Sequence, residues 1–212
     1  MTSKAKLTIV RVSVTTTSRL HLNVVDDFFY THYNPPIIVV EASDLPQPVV
    51  VKVTPPNPSD FAVVYTDGNS VVADKLIGFP DGVDRFELCG LIPKSLWNPT
   101  EKSVPNWAYS LLLRLSSYVQ RNELVIKAPL TFLEFPAGAL VIPKRSFSGV
   151  FLMLHEQVVK SQEHAINIIS VHPVFDIEIA YEKEMGAGAF FEMLDDGDVP
   201  RHIDIDRLPA IG

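Results

Sequence analysis

From Ile166 to Arg207 the chain sets out a buried strand ending at His172-Pro173, an acidic helix broken at Gly186-Ala187-Gly188, a short second helix, and a closing run from Val199-Pro200 to Asp206-Arg207. A strand that feeds a helix obliges that helix to lie on a sheet, because neither element can bury its apolar face alone. The order of elements here therefore calls for a sheet with helices packed against it.

Upstream residues supply the strands. Lys6 to Thr15 alternates with period two and slips between Ile9 and Val10, the mark of an edge strand with a bulge. Ile37 to Glu41, Val49 to Thr54, Phe61 to Thr66 and Arg85 to Ile92 are short runs of strand formers, and Asp67-Gly68 closes the third with a tight turn. Further strands are expected around Leu124 to Leu133, Ala139 to Pro143 and Gly149 to His155. Two helices interrupt them. Ser18 caps the first, whose Leu20, Val24, Val25, Phe28, Phe29 and Tyr33 share one face until Pro35-Pro36 stops it. Pro105 and Asn106 open the second, with Trp107, Leu111, Leu115 and Tyr118 as its core stripe. The fold class is α+β, a mostly antiparallel or mixed β-sheet with helices packed on it. Residues 1–18 form an N-terminal extension that adds an edge strand, and 19–212 form one domain. Pro93 to Pro105 is the one stretch where a lobe boundary could fall.

Charge narrows the choice of partner. The 212 residues carry 18 Lys+Arg against 25 Asp+Glu, a net charge of -7, with the acids gathered in Asp176 to Glu184 and Asp195 to Asp206. Such a surface repels phosphate backbones, which excludes nucleic acid and favours a basic protein. The single cysteine, Cys89, cannot form an internal disulfide, and in its apolar strand it reads as a small hydrophobe in a reducing compartment. No apolar run approaches the ~18 residues that cross a bilayer, and the N-terminus has no signal-peptide core. A soluble cytoplasmic protein is expected, with no membrane partner.

Catalytic patterns are absent. His21, His32, His155, His164, His172 and His202 are scattered without metal-ligand spacing, and His172 reads as a satisfied polar residue at a strand end. Ser146-Phe147-Ser148-Gly149 precedes a strand where a nucleophile elbow would follow one. Gly186-Ala187-Gly188 lacks the third glycine of a dinucleotide site and reads as a helix stop. Asp176 and Glu178 stand in a first helical turn, where the helix dipole favours negative charge. Asp195-Asp196-Gly197-Asp198 lacks the spaced oxygens of a calcium loop. No catalytic residue, metal or cofactor is assigned. Arg207 is expected to pair with a nearby carboxylate and fix the C-terminal segment.

The order of segments resembles the suppressor of fused-like family. Phe61 to Ser70 is similar to that family's strand and Gly-x-Ser turn, with Val71 where an Asp often follows. Arg85-Phe86-Glu87-Leu88 is similar to its Phe-Glu-Leu strand, and Trp107 to Val119 to its next helix, with Ser117 in place of a basic residue. Ile166 to Val171, Pro173, Glu178, Gly186, Ala189, Phe190, Leu194 and Asp206-Arg207 match its last third. The resemblance spans Leu20 to Arg207, and Met1 to Thr17 has no counterpart. It implies a protein-binding module without catalysis. Eukaryotic members resemble this chain over their N-terminal lobe and grip an extended peptide of a transcription factor. Compact members resemble bacterial immunity proteins that neutralise a toxin, here a basic one. The expected binding surface comprises Glu178, Glu182, Asp195, Asp196 and Asp198, with the turn at Asp67, Gly68 and Ser70. The alternative is a hydrolase or other enzyme in which clustered carboxylates such as Asp176, Glu178 and Asp206 converge in a pocket.

Overall fold

A computed structural model describes residues 24–34, 36–42, 45, 47–56, 60–69, 76–78, 85–121, 124–127, 130–135, 147–160, 164–200 and 202–211. The strand expected at Lys6 to Thr15, the helix start at Ser18 and the strand at Ala139 to Pro143 lie outside the described residues.

Seven strands form the central sheet: β1 (Ile37–Ala42), β2 (Val49–Thr54), β3 (Phe61–Asp67), β5 (Arg85–Pro93), β7 (Leu130–Glu134), β8 (Gly149–Lys160) and β9 (His164–Val174). Their order is β1-β2-β3-β5-β9-β8-β7, while β4 (Leu76–Ile77) and β6 (Ile126–Lys127) pair in a separate two-stranded ladder. Every neighbour in the large sheet is antiparallel except β5 and β9, which run parallel with Arg85 opposite Ile166 and Cys89 opposite Ser170. The sheet is mixed, and the fold is α+β.

Alternation along the strands sorts side chains to two faces. Ala62, Val64, Leu88, Val150 and Leu152 point to one face, where they meet Trp107, Leu111, Leu112, Leu115 and Val119 of α2 (Asn106–Gln120). Val63, Tyr65, Cys89, Ile166 and Ile168 point to the other and meet Val25 and Phe29 of α1 (Val24–His32). Phe151 and Val174, farther along that second face, receive Ile179, Phe190 and Leu194 of α3 (Asp176–Asp196). The sheet is thus covered by α2 on one side and by α1 and α3 on the other. The stripe expected on α2 is correct in phase and broader in extent, because that helix spans several strands at once.

Strands on both sides of residues 93 to 105 join one sheet, Asn98 and Ser103 bridge across the segment, and Leu96, Trp97 and Val104 pack into the core under α2.

α3 breaks where its sequence says it should. Gly186 has φ 84° and ψ 168°, a left-handed value inside an otherwise helical run, and nothing lies within 4 Å of where its Cβ would be. Glycine is needed there for backbone conformation and not for space. The kink lets Ile179 before it and Phe190 and Leu194 after it reach the same sheet face.

Candidate functional site

The turn after β3 is built around a buried carboxylate. Glu87 Oε1 accepts the amide of Gly68 at 3.0 Å, and Oε2 accepts the Asn69 amide at 3.2 Å and the Thr66 hydroxyl at 2.6 Å. Thr66 Oγ1 in turn accepts Leu88 N–H and Asn69 Nδ2, and Asn69 Nδ2 also donates to Ser116 Oγ of α2 at 2.9 Å. Glu87, Thr66, Asn69 and Ser116 are all fully buried. One network therefore ties β3, β5 and α2 together. Gly68 has φ 132°, and a Cβ on it would stand 2.4 Å from the carbonyl oxygen of Pro48. Its amide can approach Glu87 because no side chain intervenes.

A second cluster lies on the α1 side of the sheet. Lys52 Nζ donates to Asp26 at 2.7 Å and to Asp67 at 2.6 Å, and Tyr65 donates its hydroxyl to Asp26 at 2.7 Å. Burial alone would lower the Lys52 ammonium, but its bonds to Asp26 and Asp67 outweigh that and hold it above its ordinary value. Burial and the facing Asp26 carboxylate push Tyr65 well above the usual phenol range. Cys89, buried beside this cluster, is pushed up to about 12 by desolvation, so its thiol is inert as a nucleophile near neutrality.

The third cluster joins α3 to the C-terminal segment. Arg207 Nη1 and Nη2 reach Glu178 Oε1 and Oε2 at 2.6 and 2.7 Å, the Ala210 amide donates to Oε1, and the Phe175 amide donates to Oε2. The last contact is half of a capping box: the N3 glutamate reaches back to the N-cap amide, while Phe175 has no side-chain acceptor to return it. The guanidinium also lies 4.8 Å from the Phe175 ring centroid and donates to the Pro173 carbonyl. Arg207 fixes the C-terminal segment, as its sequence position suggested.

These contacts correct one residue of the expected surface. Glu178 was assigned to the exposed acidic face, yet it is fully buried, because a helix N3 carboxylate turned inward finds four donors there. Glu182 is half-buried, and Asp195, Asp196 and Asp198 are exposed around the end of α3. Asp67 belongs to the Lys52 cluster and Gly68 to the Glu87 network, so both have structural work; Ser70 lies outside the described residues. The three carboxylates of the hydrolase reading do not line one pocket, since Asp176 and Asp206 face solvent while Glu178 is enclosed. His172 stacks on Phe151 with ring centroids 4.5 Å apart and meets Ser170 Oγ at 2.8 Å. Among the described residues, no three His, Cys, Asp or Glu side chains are grouped to hold a metal ion, and no helix is long and apolar enough to cross a membrane.

Sequence reasoning passed over Lys52 and Glu87 as participants in buried clusters. Their signal was a charge inside a run of strand formers, Val49-Val50-Val51-Lys52-Val53 and Phe86-Glu87-Leu88. It also passed over the exposed Ile177 and Met185 of α3, whose signal was apolar side chains out of phase with Ile179, Phe190 and Leu194, and the exposed Leu208 beyond that helix.

Residues 46–208 match the family described as Suppressor of fused protein (SUFU). No curated protein matches the chain. Among solved structures, the Sufu-Fu complex matches with a TM-score of 0.60 at 13% identity, over 88% of this chain and 90% of that one. Drosophila Suppressor of Fused matches with a TM-score of 0.62 at 12% identity, over 88% of this chain and 49% of that longer one. A SUFU homologue from Neisseria gonorrhoeae matches with a TM-score of 0.59 at 12% identity, over 89% of this chain and 95% of that one.

Proposed function

The chain belongs to the suppressor of fused family, and on that premise we propose that it is a non-catalytic protein-binding module of the immunity type, which holds and neutralises a basic toxin in the cytoplasm. One observation carries this reading. Glu87 and Glu178, the fully buried carboxylates that an enzyme could use, hold a turn and a terminal segment, while Asp195, Asp196 and Asp198 face outward without building a pocket. Carboxylates enclosed in this way bind the protein's own amides and guanidinium, out of hydrogen-bond reach of a substrate in solution. Exposed acids offer a field that attracts and orients a basic partner.

The likeness to the N. gonorrhoeae protein, which this chain matches over nearly its full length, supports a bacterial setting for the module. The Sufu-Fu complex is a precedent for a protein partner on this fold. The interface we assign comprises Glu182, Asp195 and Asp196 on α3 with Asp198 just past its end.

Affinity purification of the tagged protein from its host at native expression, followed by mass spectrometry, tests the role. A stoichiometric basic protein is expected, and co-expression of this chain should relieve that protein's toxicity. Recovery of no stable protein partner would overturn the reading.

A further inference from the structure

α3 carries a second surface besides its acids. Ile177, Tyr181 and Met185 stand at i, i+4 and i+8, which aligns them as one ridge along the helix. Ile177 is 46% exposed and Met185 is 55% exposed, while Ile179, two residues after Ile177, is buried against Phe151 and Val174. The buried Glu178–Arg207 pair anchors the start of the same helix. Two large apolar side chains held outward on one helix face, with Tyr181 between them, form a preorganised patch, and such patches on a polar surface mark contact sites.

The surrounding charge says what fits. Asp176 and Glu184 are exposed beside the ridge and Glu182 is half-buried, while Lys183, the one base on α3, is engaged by Glu134. A second copy of this chain would set acid against acid. We propose that the Ile177, Tyr181 and Met185 ridge docks an amphipathic basic segment of a partner protein, its apolar side chains against the ridge and its Lys or Arg side chains toward Asp176, Glu182 and Glu184. This rests on the protein-binding reading and places the contact on the first half of α3, before the Gly186 kink, where that reading alone would centre it on Asp195 to Asp198.

The test uses the full chain, isotopically labelled, and a fluorescein-labelled helical peptide with leucines on one face and lysines on the other. Amide shifts centred on Ile177, Tyr181 and Met185 are expected. The double variant I177S/M185S, at two exposed positions and checked for an unchanged urea midpoint, should weaken binding at least tenfold, and a peptide with glutamates for the lysines should bind at least tenfold more weakly. Glu192→Gln, at an exposed acid beyond the Gly186 kink, should change affinity less than twofold. Shifts centred on Asp195 to Asp198, affinity indifferent to I177S/M185S, or a dimer of the free protein that I177S/M185S dissolves would each overturn the proposal. The two readings fail separately. A host partner whose binding ignores I177S/M185S removes the ridge and leaves the binding role, whereas the absence of any partner removes both.

Discussion

Arg207 and Glu178 lie 29 positions apart and meet through two parallel hydrogen bonds, at 2.6 and 2.7 Å, with the carboxylate fully buried. Breaking such a pair leaves an uncompensated buried charge, which costs about 3–5 kcal/mol. Arg207→Met should lower the urea unfolding free energy by about 3 kcal/mol, and hydrogen exchange at the Ala210 amide should speed up because its acceptor is no longer held in place. An unchanged midpoint would show that the pair is dispensable.

The glycines make a graded prediction. Gly68→Ala meets both a backbone oxygen at 2.4 Å and φ 132°, so it should cost more than about 2 kcal/mol. Gly186→Ala meets open space but φ 84° with ψ 168°, a conformation essentially confined to glycine, and should cost about 2 kcal/mol. Gly188→Ala meets open space with no such conformational demand, and should be neutral or stabilising by up to about 1 kcal/mol. Thermal unfolding of the three variants gives the ranking directly, and any other order would contradict these backbone conformations.

Glu87→Ala should release the turn that it organises. Two amides, of Gly68 and Asn69, lose their acceptor, at about 1–3 kcal/mol for each group left buried and unpaired. Hydrogen exchange at those two amides should accelerate more than exchange in β2, which pairs with β3 and not with β5. Uniform acceleration would mean global destabilisation only.

Alkaline pH should unfold the protein in a predictable window. Cys89 is raised from 9.0 to about 12, while Tyr65 and Lys52 are raised from 10.0 and 10.5. In each case the folded state keeps a proton that the unfolded chain releases, so this stability is complete below the unfolded values and is lost as pH climbs toward the folded ones. The urea unfolding free energy should fall from about pH 9 upward, by roughly 1.4 kcal/mol at pH 10 for Cys89 alone. Cys89→Ala should delay the onset of that decline toward pH 10. A decline that begins at pH 9 in both proteins would refute the assignment to Cys89.

Local signals were legible in the sequence, and their partners were not. The phase of α2, the break at Gly186, the stop after α1 and the order of the strands follow from spacing within a few residues. By contrast, β8 and β9 run on to Lys160 and His164, past the apolar segments that announced them, because ladder hydrogen bonds continue where hydrophobicity ends. The inward turn of Glu178 depends on Arg207, and the role of Glu87 depends on a turn 18 positions away. Sequence shows a carboxylate at a helix start or within a strand, but which donors surround it is decided by the packing of distant segments. The acidic surface was therefore legible in its exposed members, Asp195, Asp196 and Asp198, and misread at Glu178.

The parallel ladder between β5 and β9 also sets a timetable. β5 leaves the ribosome with one flank already able to pair with β3, but its other flank must wait until β9 emerges, several seconds later at ~5–20 residues per second. During that interval the middle of the future sheet is an open edge, with Phe86, Leu88 and Cys89 not yet enclosed. A nascent chain of this design has its greatest need for a chaperone in mid-synthesis, and a ribosome stalled between β5 and β9 should present the most aggregation-prone form of the molecule.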